Sequence, residues 1–160
     1  MELSQWFDYQ LRSTLDGFVW AIHQVPKERL FTVPPTQLGE WPAAQHVSHM
    51  VDYEERFALP SMAQWLGVPA VIPEELEKGL EQSPLSIEER LSQFRQVRKA
   101  QISMLPKFEP MAWDRVKRTT FWGDVSLYWL VCKTYQHTVE HTHNILSLTL
   151  FWDSTHKHGH

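Results

Sequence analysis

Two histidines, His137 and His141, stand four residues apart in the segment Tyr135-Gln136-His137-Thr138-Val139-Glu140-His141-Thr142-His143-Asn144-Ile145-Leu146. In a helix turning about 100° per residue, that spacing puts both side chains on one face, a turn apart. The face is otherwise that of a core: Leu127, Leu130, Thr134, Ile145 and Leu148 share the stripe. A neutral imidazole buried among Leu and Ile needs partners for both ring nitrogens. A lone histidine in such a place is more often a hydrogen-bonded core residue. Two side by side can be satisfied together by one metal ion, for which imidazole is the commonest neutral ligand. His143 lies about 200° round the helix from His141 and reads as a surface or interface residue.

The pair sits in a run from Asp124 to Asp153 that contains neither Pro nor Gly. A third ligand must come from another element. A helix starting near Trp41-Pro42 and running to about Leu59, where Pro60 breaks or kinks it, with residues 61 to 66 able to add another turn or two, carries His46 and His49. These are about 60° apart round the helix, so either can approach the core. Glu54 could reach back to orient a ligand, although Asp52, Glu54 and Glu55 read most simply as a solvated face. Residues 3 to 24 form a first helix, stopped by Pro26. Another starts with the capping box Ser86-Ile87-Glu88-Glu89 and is stopped by Pro106. Its stripe, Ile87, Leu91, Phe94, Arg98, Gln101 and Leu105, turns polar in its second half. Arg95, Arg98 and Lys99 are again read as solvated.

Three sizeable connections join these helices. Residues 26 to 40 are rich in Pro, and residues 67 to 84 allow a short helix at Glu74 to Leu80. Residues 106 to 123 mix aromatics (Trp113, Phe121, Trp122) with bases (Arg115, Lys117, Arg118). A connection that long usually has a use. It could be a lid over a pocket for an anionic substrate, but covering the bundle end is the simpler role. Asp124 is read as the cap of the last helix. No alternating strand stands out. The expectation is an all-α, four-helix bundle with long connections and ligands projecting inward from facing helices.

The 160 residues suit one domain, over 1–153, with a His-rich and flexible tail at 154–160. Apolar residues are 42% of the chain and include eight Trp and eight Phe, so the core or an interface should be aromatic. A net charge of −4 without a long basic run argues against nucleic acid as a partner. Cys132 is the single cysteine, which excludes an internal disulfide and suits a reducing compartment. No signal peptide and no membrane span are recognised, so a cytoplasmic protein is expected.

The pattern resembles the DinB/YfiT-like family of small four-helix-bundle metalloproteins. Three features carry the likeness. In Trp41-Pro42-Ala43-Ala44-Gln45-His46-Val47-Ser48-His49-Met50-Val51-Asp52-Tyr53-Glu54, a Trp is followed eight residues on by a His and five later by an acid. His137 and His141 are followed by Asn144-Ile145, where the family often has Gln-Ile. The middle of the chain is long and variable. The resemblance implies a metal triad at His49, His137 and His141, so it prefers His49 to His46. It also implies a divalent metal (Zn or Ni), an unusual helix order, and frequent homodimers. His46 becomes an extra imidazole near the site, a base or a competing ligand.

Three imidazoles leave a zinc-like ion with positive charge and a vacant place. Bound water there reaches a pKa of about 7, and a bound thiol is deprotonated. Hydrolysis and transfer of a low-molecular-weight thiol are the chemistries that follow, on an unknown small-molecule substrate. Glu140, about 60° from His137 round the helix, is a candidate base on bound water, with a surface role as its alternative. His137-Thr138-Val139-Glu140-His141 also spells the H-x-x-E-H peptidase signature. That class needs a downstream carboxylate ligand on an α/β domain, and here Asp153 is the sole acid after His141. The reading from a different class is a non-catalytic, metal-stabilised dimeric bundle serving stress response or regulation.

Overall fold

The computed structural model describes residues 2–70 and 85–154. The short helix expected at Glu74 to Leu80 and the tail from His156 to His160 lie outside the described residues. Helix α1 spans Leu3–Gln24 and buries Phe7, Leu11, Phe18, Val19, Ala21 and Ile22. Pro42 sits at the N-cap of α2 (Ala43–Tyr53), where its missing N–H costs nothing.

The rod does not stop at Pro60. A single π turn, Glu54–Ala58, follows α2, then α3 (Leu59–Ala63) and a 3-10 turn at Gln64–Leu66. Proline cannot donate to the carbonyl four residues back. Just upstream the ladder widens, and the Leu59 N–H bonds the Glu54 carbonyl, five residues back. Such π turns are frequent at functional sites. Gly67, at φ 78°, takes the left-handed conformation that ends the rod.

Helix α4 (Ile87–Met104) opens with both halves of the Ser86–Glu89 capping box formed. The 106–123 stretch is not structureless. Val116–Thr119 (β1) pairs antiparallel with Gly123–Ser126 (β2), Thr119 opposite Gly123. Thr119 Oγ1 donates to the Gly123 carbonyl at 2.9 Å and accepts from the Trp122 N–H at 3.1 Å, and Gly123 takes φ 71°. A threonine hydroxyl thus does the work of a turn residue. Helix α5 (Leu127–Phe151) begins later than expected: Ser126, not Asp124, is its cap, accepting from Trp129 N.

The rods α1, α4, α2 and α5 form a ring in that order, with α1 against α5 and α4, and α2 against α4 and α5. Helices consecutive in sequence, α1 and α2, therefore sit diagonally, which is why long connections are needed. Apolar packing falls into two clusters. One joins Phe18, Ile22, Val47, Met50, Leu91, Phe94, Ile145 and Leu148. The other joins Phe7, Leu11, Met62, Trp65, Leu105, Trp113, Leu127 and Leu130, so the 106–123 connection does close a bundle end. Along α5, Thr134, His137, Thr138 and His141 fall between the two clusters, and along α4 so do Arg98 and Gln101, all buried. The bundle has a polar middle layer, and the imidazoles belong to it.

Candidate metal centre

Helix α2 presents His49, and α5 presents His137 and His141 one turn apart. Their side chains converge nitrogen to nitrogen. His137 Nε2 lies 3.1 Å from His49 Nε2 and 3.1 Å from His141 Nε2. Ligand atoms of all three lie within 4.8 Å of one another. Nitrogens bound tetrahedrally at about 2.1 Å from one zinc would stand about 3.4 Å apart, so these spacings are compatible with a shared metal ion.

Burial fixes the protonation state. Burial, with the neighbouring imidazoles and Lys133 adding to it, pushes His141 down to about 2 and, with Arg98 as well, His137 to about 3. Burial also lowers His46 to about 4, with His49 adding to the effect. His49 is half-buried and lowered by burial, against which the charges of Asp52 and Glu140 pull it up. At neutral pH the cluster therefore offers lone pairs. An imidazole nitrogen offers either one N–H or one lone pair, so His137 Nε2 cannot be fully paired with both of its neighbours at once. His137 Nδ1 is a further buried atom with no hydrogen-bond partner among the described residues. This donor set could hold a metal ion.

The candidates named from sequence fall in different places. His46 is buried and reaches His141 from the other side, Nδ1 to Nδ1 at 2.7 Å. Glu140 is exposed, accepting from Gln136 Nε2 at 2.9 Å, while Gln136 Oε1 accepts from Lys133 Nζ at 2.7 Å. Its charge still reaches His49. His143 is exposed, as expected.

Two aromatic residues wall the cluster. Trp41 stacks on His141 at 6.0 Å and meets His49 edge-on at 5.0 Å. Tyr53 packs on His137 at 4.1 Å, and burial pushes its hydroxyl strongly upward, with Glu54 adding to the shift. The hairpin tip reaches this wall, Trp122 lying 5.9 Å from Tyr53 and Phe121 5.2 Å from Phe57. Its bases do not. Lys117 Nζ donates to the Gln64 carbonyl and Arg118 pairs with Asp124. A cleft of about 460 Å³ beside Lys117 and Arg118 shares no lining residue with the imidazoles. The part of the hairpin that meets this wall is aromatic, not cationic.

Sequence reasoning misplaced the layer beneath. Asp52 and Glu54 are buried, not solvated, and Arg98 is 0% exposed. Gln101 Nε2 donates to Glu54 Oε2 at 2.6 Å, and Arg98 Nη2 stands 3.5 Å from Glu54 Oε1. Burial raises the Glu54 carboxyl, while Arg98 and Gln101 pull it back. The signal was the stripe itself, on which Arg98 and Gln101 share a face with Leu91, Phe94 and Leu105.

The sequence model of the DinB superfamily matches residues 10–145, a span that takes in every residue of the cluster. No curated protein matches the chain.

Proposed function

The chain belongs to the DinB superfamily, and from that premise we propose a divalent-metal-dependent enzyme, a hydrolase or low-molecular-weight-thiol transferase, with His49, His137 and His141 as ligands. The observation that carries the reading is the meeting of three neutral Nε2 atoms from two rods. A zinc or nickel ion there supplies a Lewis acid that lowers the pKa of a bound water or thiol. The rest falls to the chain. Trp41 and Tyr53 exclude bulk water from one side of the imidazoles. Glu140, exposed and within electrostatic range of His49, is the candidate base. The substrate is a small molecule, not nucleic acid or membrane. Among the described residues no helix is long and apolar enough to cross a membrane, and the single cysteine suits the cytoplasm.

Elemental analysis of the protein as isolated, with and without His137→Ala, tests the ligand set. Close to one metal per chain is expected, lost in the variant. Full metal content in His137→Ala would sink it. Turnover on ester, amide and thiol-adduct panels tests the reaction class.

One observation favours a second reading, a homodimer in which the metal only stabilises the bundle. Trp6 and Tyr9 on α1 and Tyr128 and Trp129 on α5 are large and exposed, and α1 packs on α5. Aromatic residues of this kind are enriched at interfaces. Sedimentation velocity reports the dimer, and loss of melting temperature with chelator, without turnover on any panel, would favour this reading.

A further inference from the structure

His141 uses both ring nitrogens. Nε2 faces His137 at 3.1 Å, and Nδ1 faces His46 Nδ1 at 2.7 Å. Two nitrogens at 2.7 Å cannot both present lone pairs or both present protons, so one proton lies between them. Both rings are buried, where the neutral form is favoured, which leaves two arrangements. If His46 donates, the His141 proton sits on Nε2 and points into the cluster, where it blocks ligation. If His141 donates, its Nε2 presents a lone pair to the cluster, and His46 carries its own proton on Nε2.

We propose that His46 is a positioning residue: it accepts a hydrogen bond from His141 Nδ1–H and so fixes the tautomer in which His141 Nε2 can bind a metal. This rests on the ligand set proposed above and goes beyond it by giving the extra imidazole a role other than base or ligand. Metal-bound histidines generally donate their second N–H to a carboxylate, a carbonyl or water. Here the acceptor is a neutral ring, which fixes orientation without adding negative charge. A metal ion held by His141 would keep more of its positive charge than one whose ligand donates to a carboxylate. His46 is itself held in place, because its backbone N–H bonds Pro42 in the first turn of α2 and its ring packs on Trp41 at 5.4 Å.

Because His46 accepts through Nδ1, Asn is its closest mimic. Asn Oδ1 branches from the same carbon as Nδ1, whereas Gln places its acceptor one bond farther out, near where Nε2 lies. The experiment combines two readouts on wild type, His46→Asn, His46→Gln and His46→Leu. One is the zinc affinity, from competition with a chromophoric chelator. The other is the His141 tautomer in the metal-free protein, from long-range ¹H–¹⁵N correlation spectra of histidine-labelled samples. Zinc affinity should fall about 10–100-fold in His46→Leu and His46→Gln, and stay within a few-fold of wild type in His46→Asn. Metal-free wild type should show the His141 proton on Nδ1, and His46→Leu should show a tautomer mixture. Unchanged affinity in His46→Leu, or equal losses in the Leu and Asn variants, overturns the proposal. The spectra also separate the two layers of inference. A wild type that takes no zinc defeats the ligand set, while the tautomer still judges His46: a proton on His141 Nδ1 upholds its orienting role, and a proton on Nε2 refutes it.

Discussion

Arg98 Nη2 on α4 donates to Thr138 Oγ1 on α5 at 2.7 Å, across the core and next in sequence to His137. The same guanidinium stands 3.5 Å from Glu54, at the head of the π turn. One fully buried cation thus ties together the helices that carry the imidazoles. Breaking a buried pair leaves the other charge uncompensated, at a cost of about 3–5 kcal/mol. Arg98→Met is expected to lose stability of that order by urea unfolding, and adding Glu54→Gln should recover part of it. Equal stability of Arg98→Met and wild type would refute the coupling.

Cation binding should appear as stability. A ligand that binds only the folded chain, at about 1,000 times its Kd, adds about 4 kcal/mol. Zinc added to the chelator-stripped protein should raise its melting temperature. His137→Ala and His141→Ala should not respond, whereas His143→Ala, at an exposed position, should respond like wild type.

Acid should weaken the metal-free protein in a defined window. The folded values of His46, His137 and His141, about 4, 3 and 2, all lie below the ordinary value of 6.5. Between the ordinary and the depressed values the unfolded chain binds protons that the folded chain does not. Stability is therefore full above about pH 6.5 and falls on acidification, by up to about 1.4 kcal/mol per pH unit for each histidine. Urea midpoints from pH 7 down to pH 5 should drop steeply. His141→Asn should flatten the slope, and His143→Gln should leave it alone. A flat wild-type profile contradicts the burial argument.

Trp41 covers the imidazoles without being bonded to any of them. Trp41→Ala should open the cluster to solvent. Zinc extraction by excess chelator, followed in a stopped-flow instrument, should become severalfold faster, with a smaller change in equilibrium affinity. An unchanged extraction rate would place the route of exchange elsewhere.

Local rules decided much of this molecule. The α1 bounds, the Ser86 capping box and the shared face of His137 and His141 follow from period, breakers and caps within one segment. The all-α bundle was legible because such periods persist over most of the chain, and the DinB superfamily because the segment from Trp41 to Glu54 and the His137–His141 pair resemble that family's motifs. What a face meets is another matter. Periodicity put Arg98 on a core stripe but could not show that Glu54 and Thr138 wait opposite it. Nor could it show that the irregularity before Pro60 takes the form of a π turn over Glu54–Ala58. The hairpin escaped notice because Thr119 closes its turn through a side-chain hydroxyl, which no composition signal marks. His46 and His49 lie on neighbouring faces of one helix. Only the approach of α5 turned one toward the Nε2 cluster and set the other behind His141, because that choice depends on distances between rods and not on spacing within them.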